Sequence, residues 1–185
     1  MKKKTFLSLG NVQKKEALYE DGSEFIDRMI DTIQIVKILL DAKESKNPIA
    51  ILCIGTPNTI ADSLGPCVGT LLEDSNLSVK VLGTIREPVH ALNLEEQLRK
   101  VEGYTIIAID ATIGRQIGSI TCTREGIYPG AGVRKKLGYV GDYSITVTTA
   151  TNPLFFYLTS EKALGFITMR ARLIACCIKV IFGSI

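Results

Sequence analysis

The chain has 185 residues, of which 46% are apolar and 22% charged, and its formal net charge is +3. This length is typical of one domain with a substantial core. The composition excludes a disordered chain, a collagen-like repeat and a disulfide-rich scaffold. The small positive charge does not support nucleic-acid binding, and no nucleic-acid partner is expected.

Cysteine and histidine usage indicates a reducing compartment and excludes a zinc finger. The chain has five cysteines, no CxxC pair and a single histidine, His90. Residues 163–182 are rich in apolar side chains, but Arg170, Arg172 and Lys179 interrupt the run. This pattern favours a buried or amphipathic helix over a membrane span. We therefore expect a cytoplasmic protein without a membrane partner.

The first half of the chain begins with a polar segment and then becomes periodic. Residues 1–22 predict a flexible lead-in, and a single domain is expected over residues 23–185. Apolar residues recur at helical spacing from residue 23 to residue 42. Residues 48–55 (PIAILCIG) form a continuous apolar run that ends in glycine. Such a run is typical of a buried parallel strand.

From this strand onward, predicted strands and helices alternate at short intervals. The predicted order is a loop at 56–61, a helix to about 74, a strand at 78–83, a helix at 91–102, strands at 104–111, 118–124 and 143–150, and helices at 152–160 and 162–182. This alternation indicates βαβ units with right-handed crossovers. We therefore predict an α/β fold, a three-layer α/β/α sandwich around a mostly parallel, mixed sheet.

Polar side chains collect after three of the predicted strands, where sites form in open α/β sheets. They are Asn58 and Asp62, then Arg86, Glu87 and His90, then Asp110 and Arg115. Asp62 stands where a loop enters a helix and could be an N-cap. Asp110 could likewise cap the turn after its strand. As a pair facing one water, however, the two carboxylates could act as acid and base, since like charges split their pKa values.

Other catalytic and binding patterns are weaker. Asp62, Asp110 and His90 together are of the types that hold a divalent metal, but they are far apart in sequence, so no cofactor is expected. The chain has no Walker motif, no GxGxxG after a strand and no GxSxG. The segment at 126–137 (GIYPGAGVRKKL) is either a flexible surface loop or a substrate channel. Its candidate lining residues are Gly130, Gly132, Arg134 and Lys135.

Four sequence motifs, in this order along the chain, resemble those of a known protein family. They are GTPNTIADSLGP (55–66), REPVHALNLEE (86–96), IAIDATIGR (107–115) and GIYPGAGVRKKL (126–137). The chain resembles the sporulation-associated YyaC family over about residues 48–185. That family is similar to the germination protease of spores and, more distantly, to hydrogenase maturation proteases. The resemblance implies a phosphorylase/hydrolase-like fold of the hydrogenase maturation protease type.

The same resemblance implies a function. The catalytic aspartates of the germination protease correspond to Asp62 and Asp110, which implies an aspartic-type peptidase acting on a protein or peptide in a sporulating cell, in the mother cell or the forespore. In addition, we expect Asn58, Glu87, His90 and Arg115, which follow the same strands, to bind the substrate or to orient the reacting groups. Two alternatives stay open, a non-catalytic sporulation protein that binds a partner through the basic loop and a metal-dependent hydrolase. Pairing of two copies through the C-terminal helix is also open.

The chain departs from the family pattern at several positions. Pro57 and Asn58 stand where the YyaC pattern usually has an acid and a base, and Ala61 replaces a glycine. Hydrogenase maturation proteases also use a later histidine, which this chain lacks. The resemblance therefore does not carry over a metal site, and a mechanism that requires three carboxylates is not expected.

Overall fold

A computed structural model of the chain describes residues 22–129, 138–152 and 161–184. The described helices are α1 (Gly22–Lys43), α2 (Leu64–Leu72), α3 (Leu94–Arg99) and α4 (Glu161–Phe182), and a 3-10 turn covers Ile60–Asp62. The described strands are β1 (Ile49–Cys53), β2 (Lys80–Leu82), β3 (Thr105–Ile113), β4 (Ile120–Thr123) and β5 (Tyr143–Ala150). The chain divides into two compact units, Met1–Asp31 and Thr32–Ile185, and the whole sheet belongs to the second.

These strands form one mixed sheet in the order β2-β1-β3-β5-β4. All neighbours pair in parallel except β4, which is antiparallel to β5. The predicted α/β fold with a mostly parallel sheet is therefore confirmed. From β1 the chain moves to β2 on one side and then to β3 on the other. The boundary between β1 and β3 is thus the point where strand order reverses, and ligands bind at the carboxyl ends of strands at such points.

Side chains of alternate residues in the central strands pack into two hydrophobic cores, one on each face of the sheet. On one face, Ile107 and Ile109 of β3 pack in a cluster with Leu64 of α2 and Ile174 of α4. On the other face, Ala108 packs in a smaller cluster that includes Leu94 of α3. Each fully buried isoleucine contributes about 1.5–3 kcal/mol. Burial on both faces explains the continuous apolar runs of β1 and β3.

Helix α4 carries its buried residues at helical spacing. Ile167, Ala171, Ile174 and Ile178 are almost completely buried, whereas Lys179 and Val180 are exposed. The structure thus agrees with the predicted amphipathic helix, and its bounds differ from the prediction by one residue. None of the helices within the described residues combines the length and the apolar character that a membrane span requires.

Two predicted helices are shorter than expected, for local reasons. The helix expected at 91–102 covers only Leu94–Arg99. The Asn93 side chain accepts a hydrogen bond from the His90 backbone and donates one to the Pro88 carbonyl, which holds a turn before the helix begins. The helix expected to follow residue 61 begins at Leu64, after the 3-10 turn. The lead-in up to residue 21 and the helix expected at 152–160, from residue 153 on, lie outside the described residues.

Candidate active site

The loops after β1 and β2 lie side by side at the carboxyl edge of the sheet. Ile54 forms a parallel bridge with Val89, and the Gly55 backbone donates a 2.8 Å hydrogen bond to the Val89 carbonyl. The Ile54 backbone donates another, of 2.8 Å, to the Ile109 carbonyl of β3. Residues that follow β1 and β2 are therefore joined by backbone hydrogen bonds to each other and to β3, and His90 directly follows this junction.

Two glycines allow the chain to fold back tightly after β1. Gly55 has a φ of +139°, in the region that favours glycine, and a Cβ there would overlap the Asp62 carbonyl oxygen. A Cβ on Gly65 would overlap the Ile54 carbonyl oxygen and lie 2.7 Å from its backbone nitrogen. The first turn of α2 therefore packs directly on the end of β1. This contact fixes the 3-10 turn that carries Asp62.

Asp62 turns its carboxylate back toward the loop rather than toward the helix. Its Oδ2 accepts a 2.9 Å hydrogen bond from the Thr56 backbone. The N-cap of α2 is Ser63, so Asp62 does not cap this helix. Burial raises the pKa of Asp62 from its ordinary 3.8 to about 6, although the Thr56 hydrogen bond and the nearby His90 lower it. Asp62 is therefore ionised at neutral pH but is easily protonated below pH 6.

Asp110 lies in β3 just beyond the end of β1. Its neighbour Ile109 pairs with Cys53, the last residue of β1. Because β3 continues to Ile113, Asp110 does not cap a turn. Its Oδ1 accepts a 2.8 Å hydrogen bond from the Ala111 backbone. Burial raises the pKa of Asp110 well above its ordinary value, and the neighbouring charge of Asp62 raises it further. The structure thus places two interacting carboxyl groups with different environments at the point where strand order reverses.

The His90 ring is held beside this pair by its own turn. The Leu92 backbone donates a 3.3 Å hydrogen bond to His90 Nδ1. A neutral ring would therefore carry its proton on Nε2. Within the described residues Nε2 has no hydrogen-bond partner, so it is available to a ligand. Among these residues, no three histidine, cysteine or acidic side chains are grouped to hold a metal ion together. Asp62, Asp110 and His90 are thus not grouped in this way in the structure.

The remaining predicted site residues are more distant from the reacting groups. Asn58, Glu87 and Arg115 follow β1, β2 and β3 as expected, but all three are exposed. Within the described part of the chain, their side chains make no hydrogen bond or ion pair with either aspartate. The other predicted residues of the site, Gly130, Gly132, Arg134 and Lys135, lie outside the described residues.

Sequence reasoning missed the hydroxyl residues next to Asp110. Thr146 of β5 is the cross-strand partner of Asp110. Thr121 of β4 is in turn the partner of Thr146. The alternation of hydroxyl and apolar residues in YSITVTTA indicates one polar face on β5, but only the register shows that this face adjoins Asp110.

The sheet order and its helices define a protein with the hydrogenase maturation protease fold. The [NiFe] hydrogenase maturation protease HycI from Thermococcus kodakarensis KOD1 superimposes with a TM-score of 0.52 at 19% identity, covering 77% of this chain and 99% of HycI. The chain belongs to the family described as protein of unknown function (DUF1256), whose model matches residues 20–176. It is 33% identical over 141 residues to the uncharacterized protein YyaC of Bacillus subtilis (strain 168), over 72% of this chain and 69% of that protein. The predicted relationship to YyaC is therefore confirmed.

Proposed function

We propose that the chain is a hydrolase of peptide bonds in which Asp62 and Asp110 activate one water. The observation that carries this proposal is the interaction of two half-buried carboxyl groups at the point where strand order reverses. The resemblance to the germination protease supports it, and that resemblance also suggests the cytoplasm of a sporulating cell as the setting. The partner would be a protein or peptide substrate, and no cofactor is required.

The two groups have different roles in this proposal because their environments differ. At neutral pH Asp62 is a carboxylate and can take a proton from the attacking water. Asp110, whose pKa is raised well above its ordinary value, is assigned the proton in this proposal and can donate it to the oxygen of the scissile carbonyl. Asp62 then passes its proton to the leaving nitrogen as the C–N bond breaks. Asp110 recovers a proton from the hydroxyl of the intermediate, which becomes the new carboxyl group.

His90 acts in this proposal as a positioning residue for the base. Its charge beside Asp62 lowers the pKa of that carboxyl group and so favours the ionised form that accepts the proton. The hydrogen bond to Asn93 fixes the backbone at His90, and the hydrogen bond from Leu92 to Nδ1 orients the ring while it is neutral.

The pH dependence of hydrolysis tests these roles. We expect kcat/KM to rise with pH through about 6, since Asp62 must lose its proton, and to fall again when Asp110 ionises. His90→Gln removes the nearby charge, so the rising limb is expected to move to higher pH. The measurement is kcat/KM on one peptide between pH 4.5 and 9. An unchanged limb in the His90→Gln variant would contradict the proposed role of His90.

A cleavage assay tests the function itself. Wild type and the Asp62→Asn/Asp110→Asn double variant are incubated with an extract of sporulating cells at several pH values, and mass spectrometry identifies new peptide termini. New termini are expected only with wild type. Circular dichroism checks that both proteins are folded. Identical termini for both proteins at every pH would refute the proposal.

A further inference from the structure

One face of the sheet beside Asp110 is lined by hydroxyl groups. The strand register arranges them in three rows that cross β3, β5 and β4. The middle row consists of Asp110, Thr146 and Thr121, which are successive cross-strand partners. Paired residues of neighbouring strands project from the same face. The Asp110 carboxyl group therefore stands at the end of a row of threonines.

On β5 and at β4, the hydroxyl groups of the two outer rows are already hydrogen-bonded to each other. In one outer row, Thr123 and Ser144 are joined by a side-chain hydrogen bond of 2.7 Å. In the other, Ser119 and Thr148 are joined by one of 3.1 Å. Ser144 is only 2% exposed and Thr148 only 5%. These hydroxyls have internal partners and are closed to a ligand.

The middle row, in contrast, keeps free hydrogen-bonding capacity. The Thr146 hydroxyl reaches the Thr121 carbonyl only at 3.5 Å, the outer limit of a hydrogen bond. The Thr121 hydroxyl is exposed and has no partner within the described residues. Asp110 uses only Oδ1 in the hydrogen bonds of the described residues, so Oδ2 is also available. The open groups thus form a continuous row that begins at one of the two reacting carboxyl groups.

We propose that the middle row is a substrate subsite that binds the carboxamide of an asparagine or glutamine adjacent to the scissile bond. A carboxamide both donates and accepts hydrogen bonds, as threonine hydroxyls do. Neighbouring strands lie about 4.8 Å apart, so Thr146 is one strand from Asp110, within reach of a side chain next to the cleaved bond. The rows contain no basic side chain that would favour an acidic group. This inference rests on the proposed function for its substrate.

Hydrolysis of matched peptides tests the subsite. The probes are blocked hexapeptide mixtures in which each position is fixed in turn as Asn, Gln, Leu, Met or Lys. Leu and Met are close in shape to Asn and Gln but lack the amide. We expect wild type to prefer Asn or Gln about tenfold at one position next to the cleaved bond. Thr146→Val, which keeps the branched shape, should reduce this preference to about twofold or less. Thr123→Val, in an outer row, should leave it unchanged.

A binding measurement separates this inference from the proposed function. The Asp62→Asn variant, labelled with ¹³C at threonine methyl groups, is titrated with the preferred Asn or Gln mixture and its Leu or Met counterpart; if no mixture is cleaved, all of them are tested. The Thr121 and Thr146 methyl signals are expected to shift with the amide peptides only. Such shifts without cleavage by wild type would support the subsite and refute the peptidase. Cleavage that is indifferent to Thr146→Val, a preference for Lys, or no selective methyl shift would overturn the subsite.

Discussion

Asp62→Asn is expected to lower peptide hydrolysis by roughly 10²–10⁴-fold and, at the same time, to stabilise the fold at pH 8. The loss of activity follows because an amide cannot accept the proton of the attacking water. Asparagine keeps an oxygen that can accept the Thr56 hydrogen bond, so the local structure should persist. Gain of stability with loss of activity is the pattern expected of a residue retained for function rather than for folding.

The sign of the stability change follows from the raised pKa. The folded state holds the Asp62 proton up to about pH 6, whereas the unfolded chain loses it near the ordinary value of 3.8. The stability associated with this proton is fully present below about pH 4 and is lost as the pH rises through 6. Asparagine carries no charge to bury, so the variant should gain about 1–2 kcal/mol over wild type at pH 8 and nothing at pH 4.

Urea unfolding at pH 4 and pH 8 measures this difference. Asp110→Asn should change stability in the same direction, because burial and the charge of Asp62 both raise the pKa of Asp110. Asp74→Asn, at an exposed position after α2, is the matched control and should show no such pH dependence. A loss of stability at pH 8 in both site variants would show that the carboxylates are structural.

Two glycine-to-alanine changes within helices are expected to have opposite effects on stability. A Cβ on Gly165 of α4 meets no atom within 4 Å, and alanine is the better helix former. Gly165→Ala should therefore raise the free energy of unfolding by about 0.5–1 kcal/mol. At Gly65 the same methyl group would overlap the Ile54 backbone, so α2 must move away from β1. Gly65→Ala should lower the free energy of unfolding by about 3 kcal/mol.

The Gly65 variant should also lose activity beyond its loss of stability. The first turn of α2 follows Asp62 directly, so a shift of the helix moves the base relative to Asp110. Thermal unfolding and kcat/KM at a temperature where both variants are folded measure the two effects. Equal stability of the two variants would show that α2 does not pack on β1 as closely as the structure indicates.

The sheet and its carboxylate pair could be predicted because their signals are local. Each signal lies within a few residues: an apolar run in β1 and in β3, and alternating hydroxyl residues in β5. The bounds of β5, Tyr143–Ala150, are the predicted ones. Asp62 and Asp110 could be predicted as a pair because parallel strands bring their carboxyl ends to one edge of the sheet. The resemblance to the YyaC family selected the same pair.

Other features could not be predicted from apolar runs and strand ends. The turn held by Asn93 shortens α3, and its hydrogen bonds involve residues that precede the helix. The neighbourhood of Asp110 and Thr146 depends on which strands pair and in which register, and β5 is far from β3 along the chain. The need for glycine at residue 65 likewise arises only when α2 meets β1.

The parallel pairing of β1 with β3 determines when Asp62 and Asp110 come together during folding. These strands are separated along the chain by α2, β2 and α3, so their pairing closes a long loop, and such contacts form slowly. Before that closure, Asp62 and Asp110 are two ordinary hydrated acids on separate segments. In the proposed mechanism a nascent or locally opened chain would therefore be inert, because Asp62 and Asp110 come together only when the core is complete.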